Sequence, residues 1–309
     1  MMTTPSTLET PSLAPQHSAP RRPFGFRTAL HAAGGALQWR LLLWWTLLLL
    51  LPAVVATLPV WQILSANLDY SVHAARLAER LDMLAIADLA GVARERQILG
   101  AGAIVALALT LLLSPLLSGM SVAAARAPQR LRFIPLLAAG AAEYGRMFRM
   151  LVWAAIPLAL AGAASGAAFG HAAKVAGNAI LETDAQQASR LALALTALLL
   201  VLVHASIDAG RALLGAEPRR RSAFLAWWGG VKLLVRRPLA VLGSYLVITV
   251  AGLALAALVA LWRIQVPALG AGGTVAAFLL AQLAVLALGW MRGARLFALM
   301  ALARDHAGR

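Results

Sequence analysis

Six long apolar stretches alternate with shorter polar segments along the chain. A helix needs about 20 predominantly apolar residues to cross the hydrocarbon core of a membrane, and the stretches lack the apolar–polar alternation of a membrane β-barrel. The six predicted transmembrane helices are Leu41–Leu64, Ile98–Gly119, Met150–Gly170, Leu191–Leu214, Leu239–Trp262 and Thr274–Met291. The predicted fold is therefore an all-α polytopic membrane protein.

The composition agrees with this interpretation. Hydrophobic residues make up 61% of the 309 residues and charged residues only 13%, whereas about a quarter of the residues in a soluble domain are charged. This balance excludes a soluble enzyme, a coiled coil and a secreted disulfide scaffold. The chain has no cysteine, which excludes thiol catalysis and metal sites built on Cys.

The N-terminal segment differs from the rest of the chain. Residues 1–23 contain five prolines among Ser and Thr and no hydrophobic region. We therefore predict a disordered cytoplasmic tail rather than a signal peptide. Residues 24–309 form the predicted six-helix transmembrane domain.

Positive charge is concentrated on one side of the predicted bundle. Residues 1–40, 120–149, 211–238 and 292–309 carry net charges of +3, +4, +6 and +3, whereas 65–97, 171–190 and 263–273 carry −1, 0 and +1. By the positive-inside rule, both termini are cytoplasmic. Only 2 of the 27 basic residues are Lys, and this Arg bias favours a GC-rich bacterial source and hence the inner membrane. The arginines flank apolar spans, so we expect anionic lipid headgroups, not nucleic acid, as their partners.

Three apolar segments with basic ends precede the odd-numbered spans: Phe24–Trp39, Leu131–Phe148 and Ser222–Val235. Such segments are typical of amphipathic helices lying in the membrane interface. Each places a Gly six residues before an Arg, namely Gly34 and Arg40, Gly140 and Arg146, and Gly230 and Arg236. This register predicts a threefold repeat of an interfacial helix and a transmembrane hairpin; the alternative is convergent use of Gly and Arg at interfaces.

Two segments near the C-terminus suggest a family. The stretches PRRRSAFLAWWGGVKLLVRRPLAVLGSYL and FLLAQLAVLALGWMRGARLFALMALARD resemble a group of uncharacterised six-span bacterial membrane proteins. That group is similar in helical layout to the membrane-anchoring portions of some glycerophosphodiester phosphodiesterases. The resemblance implies a fold class and a location but no activity, because no phosphodiesterase motif is present.

Few ionisable or strongly polar residues fall within the spans. His204, Asp208, Arg211 and Gln282 are the candidate ligand-binding residues, because polar groups at membrane depth are costly unless paired or hydrated. His204 and Asp208 lie four residues apart and could relay a proton or hold a ligand group. Alternatively, Asp208 pairs with Arg211 near the cytoplasmic interface, and Gln282 bonds a neighbouring helix.

The third span carries a packing motif. Gly162, Gly166 and Gly170 lie on one helix face, where small residues allow a second helix to approach closely. The partner helix could belong to this chain or to another.

On the side of the membrane opposite the predicted cytoplasmic segments, Ser65–Gln97 has apolar residues at helical spacing. This spacing predicts amphipathic helices that contact a partner or cap the bundle.

Several functions remain open. Because no metalloprotease, nucleotide-hydrolase or hydrolase-elbow motif occurs, we predict no enzyme activity, catalytic residue, cofactor or metal. The first hypothesis is a scaffold or accessory subunit of a bacterial envelope complex, which would have a membrane protein partner. The second is a transporter or flippase-like protein for a lipid or another apolar small molecule. A partly hydrated cavity between the helices, ringed by Arg at its cytoplasmic mouth, would favour the second hypothesis, and a tightly packed bundle would favour the first. An intramembrane enzyme using His204 and Asp208 is the third.

Overall fold

The computed structural model describes residues 26–70, 98–179, 181–267 and 270–307, together with positions 87 and 91. These residues form eight helices: α1 (Phe26–Gly34), α2 (Trp39–Leu68), α3 (Ile98–Arg126), α4 (Phe133–Asn178), α5 (Glu182–Ala216), α6 (Ala223–Arg236), α7 (Pro238–Gln265) and α8 (Gly270–Ala307). The described residues contain no strand. The predicted tail 1–23 and most of the predicted amphipathic region 65–97 lie outside the described residues.

Six of these helices are long and apolar enough to cross a membrane, namely α2, α3, α4, α5, α7 and α8. The prediction of six membrane helices is confirmed as far as their length and apolar character go, and the described residues form only helices and irregular segments. Each helix extends beyond its predicted apolar core, since a helix can continue into the interface once its backbone hydrogen bonds are paired internally.

The three segments that precede the odd-numbered spans differ in their connection to those spans. α1 is separated from α2 by a turn that follows Gly34, and α6 is separated from α7 by a break at Pro238. Proline cannot donate a backbone hydrogen bond and clashes with the preceding turn of a helix, so it suits the first turn of α7. No Gly or Pro lies between Arg146 and Pro157. Accordingly, residues 133–148 and the third span form the single 46-residue helix α4.

The membrane helices pack as three hairpins, α2 with α3, α4 with α5, and α7 with α8. The second helices of the hairpins, α3, α5 and α8, also contact one another. Almost every residue of 117–124, 205–215 and 293–303 is buried. Because these segments are covered on all sides, they form the centre of the core.

We call the end of the bundle that carries residues 126–132, 217–222, 236–237 and 304–305 the arginine-rich end. The preceding segments close the bundle there: α1 packs against α8, the start of α4 against α3, and α6 against α5. A Cβ atom at Gly140 would lie 2.3 Å from the Met120 side chain, and one at Gly230 would lie 2.6 Å from the Gly210 backbone nitrogen. These glycines allow the close approach.

The other half of the bundle is much less buried. Large apolar side chains are exposed there on every membrane helix, for example Leu58 on α2, Leu195 on α5 and Leu258 on α7. Apolar side chains that face outward at this depth suit contact with lipid tails. The core is therefore concentrated at the arginine-rich end, and the opposite halves of the hairpins have few neighbours.

Candidate functional site

A cavity of about 300 Å³ lies within the bundle, lined by residues of α2, α3, α4, α5 and α8. One end is apolar and includes Leu107, Leu111 and Leu158. The other end is polar and contains Asp208, Arg211, Arg292 and Arg295, with Ser114 and Ser118 on the facing helix α3. The lining is thus amphipathic along the direction of the helices.

The cavity is open at its apolar end. Leu107 is 59% exposed and Leu111 is 45% exposed, although both line the cavity. At a rise of about 1.5 Å per residue, Leu107 is roughly 28 Å from the end of α3 at Arg126, and Ser118 is roughly 12 Å from it. The opening therefore lies along the apolar part of α3, and the charged end of the cavity lies nearer the arginine-rich end.

Asp208 is the only carboxylate that lines the cavity within the described part of the chain, and it is 8% exposed. Arg211 Nη1 donates to Asp208 Oδ1 at 3.0 Å, and Arg295 Nε lies 3.8 Å from Asp208 Oδ2. The first contact is a hydrogen-bonded ion pair, whereas the second is too long for a hydrogen bond. One carboxylate is therefore shared between two guanidinium groups on different helices.

Arg295 is held in place from the α7 side. Its Nη1 donates to the Tyr245 hydroxyl at 2.7 Å, and its Cζ lies 4.7 Å from the centre of the Tyr245 ring. Thr249 Oγ1 lies 3.5 Å from the same nitrogen. Arg295 is only 9% exposed, yet its Nε has no hydrogen-bond partner among the described residues. A buried charged donor without a partner is costly.

Arg292 lies three residues earlier on α8, so both side chains project from similar sides of the helix. It lines the cavity and is exposed. No hydrogen bond or ion pair links Arg292 to another described residue. The charged end of the cavity therefore contains three guanidinium groups and a single carboxylate.

Three hydroxyl groups on α3 line the cavity. Thr110 Oγ1 donates to the Ala106 carbonyl at 2.7 Å, which satisfies its donor within its own helix. Ser114 and Ser118 line the cavity, and neither hydroxyl is hydrogen-bonded within the described ranges. Hydroxyl and guanidinium donors thus face one another across the polar end.

The structure brings three of the four predicted ligand-binding candidates together. His204, Asp208 and Arg211 all line the cavity, and Asp208 forms the expected pair with Arg211. His204 Nδ1 is 2.8 Å from the Leu200 carbonyl of its own helix, so that nitrogen is not available to Asp208. Gln282 is half-buried on α8 and does not line this cavity.

Sequence reasoning missed Arg292 and Arg295 as site residues. The apolar pattern predicts a span that ends at Met291, and the charge of residues 292–309 predicts that both arginines lie in a cytoplasmic segment. The signal that could have identified them is the apolar sequence of residues 296–303 beyond them. That continuation extends the buried helix and carries the arginines into the core.

The predicted packing face on α4 lies on the outside of the bundle. A Cβ atom at Gly162, Gly166 or Gly170 would have no described atom within 4 Å. No helix from the described part of this chain packs there, so the described fold leaves this face open.

Among the described residues, no group of three or more His, Cys, Asp or Glu side chains could hold a metal ion. The polar end of the cavity instead offers positive charge and hydrogen-bond donors, which suit a negatively charged group that only accepts hydrogen bonds. No family model, curated protein or solved structure matches the chain. The resemblance noted from the sequence therefore has no further support.

Proposed function

We propose that this chain is a non-enzymatic lipid-handling protein, a transporter or flippase-like protein that binds a membrane lipid in the cavity between α3, α5 and α8. The observation that carries this proposal is the cavity itself, which is apolar where it opens and polar where it ends. A lipid has the same division between its acyl chains and its headgroup.

The size and position of the cavity support a lipid headgroup as the occupant. A volume of about 300 Å³ is at the lower limit of the range of roughly 300–1,000 Å³ for small-molecule pockets. The acyl chains of a bound lipid would remain outside, beside the exposed Leu107 and Leu111. The lipid would then enter sideways from the membrane.

A scaffold or accessory subunit of an envelope complex is the second candidate. The exposed face at Gly162, Gly166 and Gly170 favours it, because glycines at this spacing allow close helix contact and no described part of the chain packs there. A protein partner could bind this face of α4 while the cavity binds lipid, so the two functions are compatible.

The proposal places the chain in a bacterial inner membrane with both termini in the cytoplasm.

The proposal also includes the threefold repeat of an interfacial segment and a transmembrane hairpin. In each hairpin, an arginine near the start of the membrane-spanning part of the first helix contacts a residue near or just beyond the end of the second helix. The pairs are Arg40 with the Leu131 carbonyl, Arg146 with the Leu214 carbonyl, and Arg237 with the Asp305 carboxylate. Arg40 and Arg146 are arginines of the predicted register, whereas Arg237 lies one position after Arg236 and contacts a carboxylate. The similar placement of the three contacts supports a common origin of the hairpins.

Reconstitution into vesicles tests lipid handling. Purified full-length protein is reconstituted with a tail-labelled fluorescent phospholipid, and movement of this lipid between leaflets is followed by chemical quenching of the outer leaflet. Ser114→Phe fills the cavity, whereas Leu112→Phe is its matched control, because Leu112 is 50% exposed and does not line the cavity.

We expect the wild type and Leu112→Phe to accelerate lipid movement and Ser114→Phe to lose this effect while remaining folded. Native mass spectrometry should likewise detect a lipid retained by the wild type and lost from Ser114→Phe. Lipid movement no faster than in empty vesicles, together with no retained lipid, would contradict the proposal. A stoichiometric protein partner under those conditions would favour the scaffold.

A further inference from the structure

We infer that the polar end of the cavity is a phosphate-binding site formed by Arg292 and Arg295, with Asp208 as the resident counter-charge. The phosphate group is carried by a phospholipid headgroup or by a small soluble phosphate ester. This inference rests on the proposed function and adds the chemical class of the ligand, which the cavity volume alone does not specify.

The balance of charge supports an anionic ligand. Three guanidinium groups line the polar end, and Asp208 is the only carboxylate that lines it in the described ranges. Asp208 is already paired with Arg211 at 3.0 Å and has only the long contact to Arg295. One carboxylate cannot neutralise three arginines, so the site has an excess of two positive charges. A bound monoanionic or dianionic phosphate would reduce that excess.

The free donors lead to the same conclusion. Arg295 is only 9% exposed, and its Nε has no hydrogen-bond partner among the described residues. Arg292 makes no ion pair with them either. Planar guanidinium groups match phosphate oxygens in geometry and donate charge-assisted hydrogen bonds to them. An acceptor-only group with several oxygens would satisfy both arginines.

The position of Arg295 is set before any ligand binds. Its Nη1 donates to the Tyr245 hydroxyl at 2.7 Å, and the Tyr245 ring packs against the guanidinium group. The remaining donors are thereby oriented at little further cost in side-chain entropy, which favours binding. On the opposite wall, Ser114 and Ser118 can donate to additional phosphate oxygens.

The test compares ligands that carry or lack a phosphate group, with or without acyl chains. Full-length protein in detergent is titrated with phosphatidylglycerol, diacylglycerol or glycerol 3-phosphate, and bound ligand is counted by native mass spectrometry. The variants are Arg292→Gln, which removes the charge, and Arg292→Lys, which retains it without the planar donor fork. Arg149→Gln is the matched control, because Arg149 is exposed, bonds only its own helix and does not line the cavity.

We expect phosphatidylglycerol to bind the wild type at least about tenfold more tightly than diacylglycerol, the effect of about one charge-assisted hydrogen bond. Arg292→Gln should reduce this preference without weakening diacylglycerol binding, and Arg292→Lys should retain more of it than Arg292→Gln. Arg149→Gln should match the wild type. Tighter binding of glycerol 3-phosphate than of phosphatidylglycerol would support the phosphate site but assign it to a soluble ester.

A second variant keeps the inference testable if Arg292→Gln lowers the stability of the fold. Asp208→Asn removes the competing carboxylate, so we expect tighter phosphatidylglycerol binding and a larger increase in melting temperature on adding it than in the wild type. Equal binding of phosphatidylglycerol and diacylglycerol, with both lost in Ser114→Phe, would overturn the phosphate site while leaving lipid handling intact. No binding of either lipid would overturn both proposals.

Discussion

Substitution of Gly230 by Ala tests the close contact between α6 and α5 that helps to close the arginine-rich end. A methyl group at this position would lie 2.6 Å from the Gly210 nitrogen, 2.9 Å from the Ser206 carbonyl oxygen and 3.0 Å from the Ala209 carbonyl carbon. All three are backbone atoms within α5, and backbone atoms cannot rotate away as the end of a side chain can. Gly230→Ala must therefore push α6 away from α5.

The size of this effect follows from the geometry. Carbon contacts are most favourable at about 3.5–4.0 Å, so α6 has to move by roughly 1 Å. Overpacking of this kind costs about 1–3 kcal/mol. The hydrogen bond from Trp227 Nε1 to Ser206 Oγ, now 3.1 Å long, would be lost as the helices separate, at a cost of about 1 kcal/mol. The higher helix propensity of Ala offsets about 1 kcal/mol, and the free energy of unfolding should fall by about 1–3 kcal/mol.

Intrinsic tryptophan fluorescence during chemical or thermal unfolding in detergent measures this loss, since the chain has 9 Trp. The matched control is Gly145→Ala on α4, because a Cβ atom there would have no described atom within 4 Å. We expect this control to be neutral or slightly stabilising. If Gly230→Ala were as stable as Gly145→Ala, the reasoning about the α5–α6 contact would be refuted.

Three further predictions concern other parts of the molecule. Arg146→Gln removes a guanidinium that pairs with a carboxylate and donates to three carbonyls near the end of α5, so the free energy of unfolding should fall by about 3–5 kcal/mol. Arg149→Gln should change it by less than about 0.5 kcal/mol; equal losses on denaturant unfolding of the two variants would contradict the assigned role. Gly166→Leu should leave the melting temperature of the monomer unchanged, because its face is open, and a lower melting temperature at unchanged particle size would contradict that position. A reporter fused after residue 309 should report a cytoplasmic location, and one fused within 65–97 should report the opposite side of the membrane. A cytoplasmic location for the second fusion would refute the topology predicted from the loop charges.

The membrane helices could be predicted from the sequence because the requirement behind them is local. A run such as residues 41–64 must be helical in lipid, since only a helix pairs all of its backbone groups within the segment. The ends of the helices were less predictable. Residues 133–148 and the third span are one helix, whereas Pro238 separates α6 from α7. The basic residues at their ends identified the three segments that precede the odd-numbered spans. They did not indicate which segment would be continuous with its span.

The site was predictable in part. Asp208 and Arg211 are three residues apart on one helix, so their ion pair follows from helical spacing. The cavity depends on where α8 lies relative to α3 and α5, and this tertiary arrangement leaves no local pattern. Arg295 therefore resembled a topology-determining arginine at the end of a span, although it is buried in the core. The exposure of Gly166 likewise depends on which helices surround α4.

The central claim is that the cavity binds an anionic lipid headgroup through its arginines. An experimental structure of the full chain in a lipid nanodisc containing phosphatidylglycerol tests this claim most directly. We predict density for a phosphate group within hydrogen-bond distance of Arg292 and Arg295, with acyl-chain density leaving the cavity past Leu107 and Leu111. A cavity filled by side chains, with Arg292 turned away from it toward the surrounding headgroups, would contradict the account.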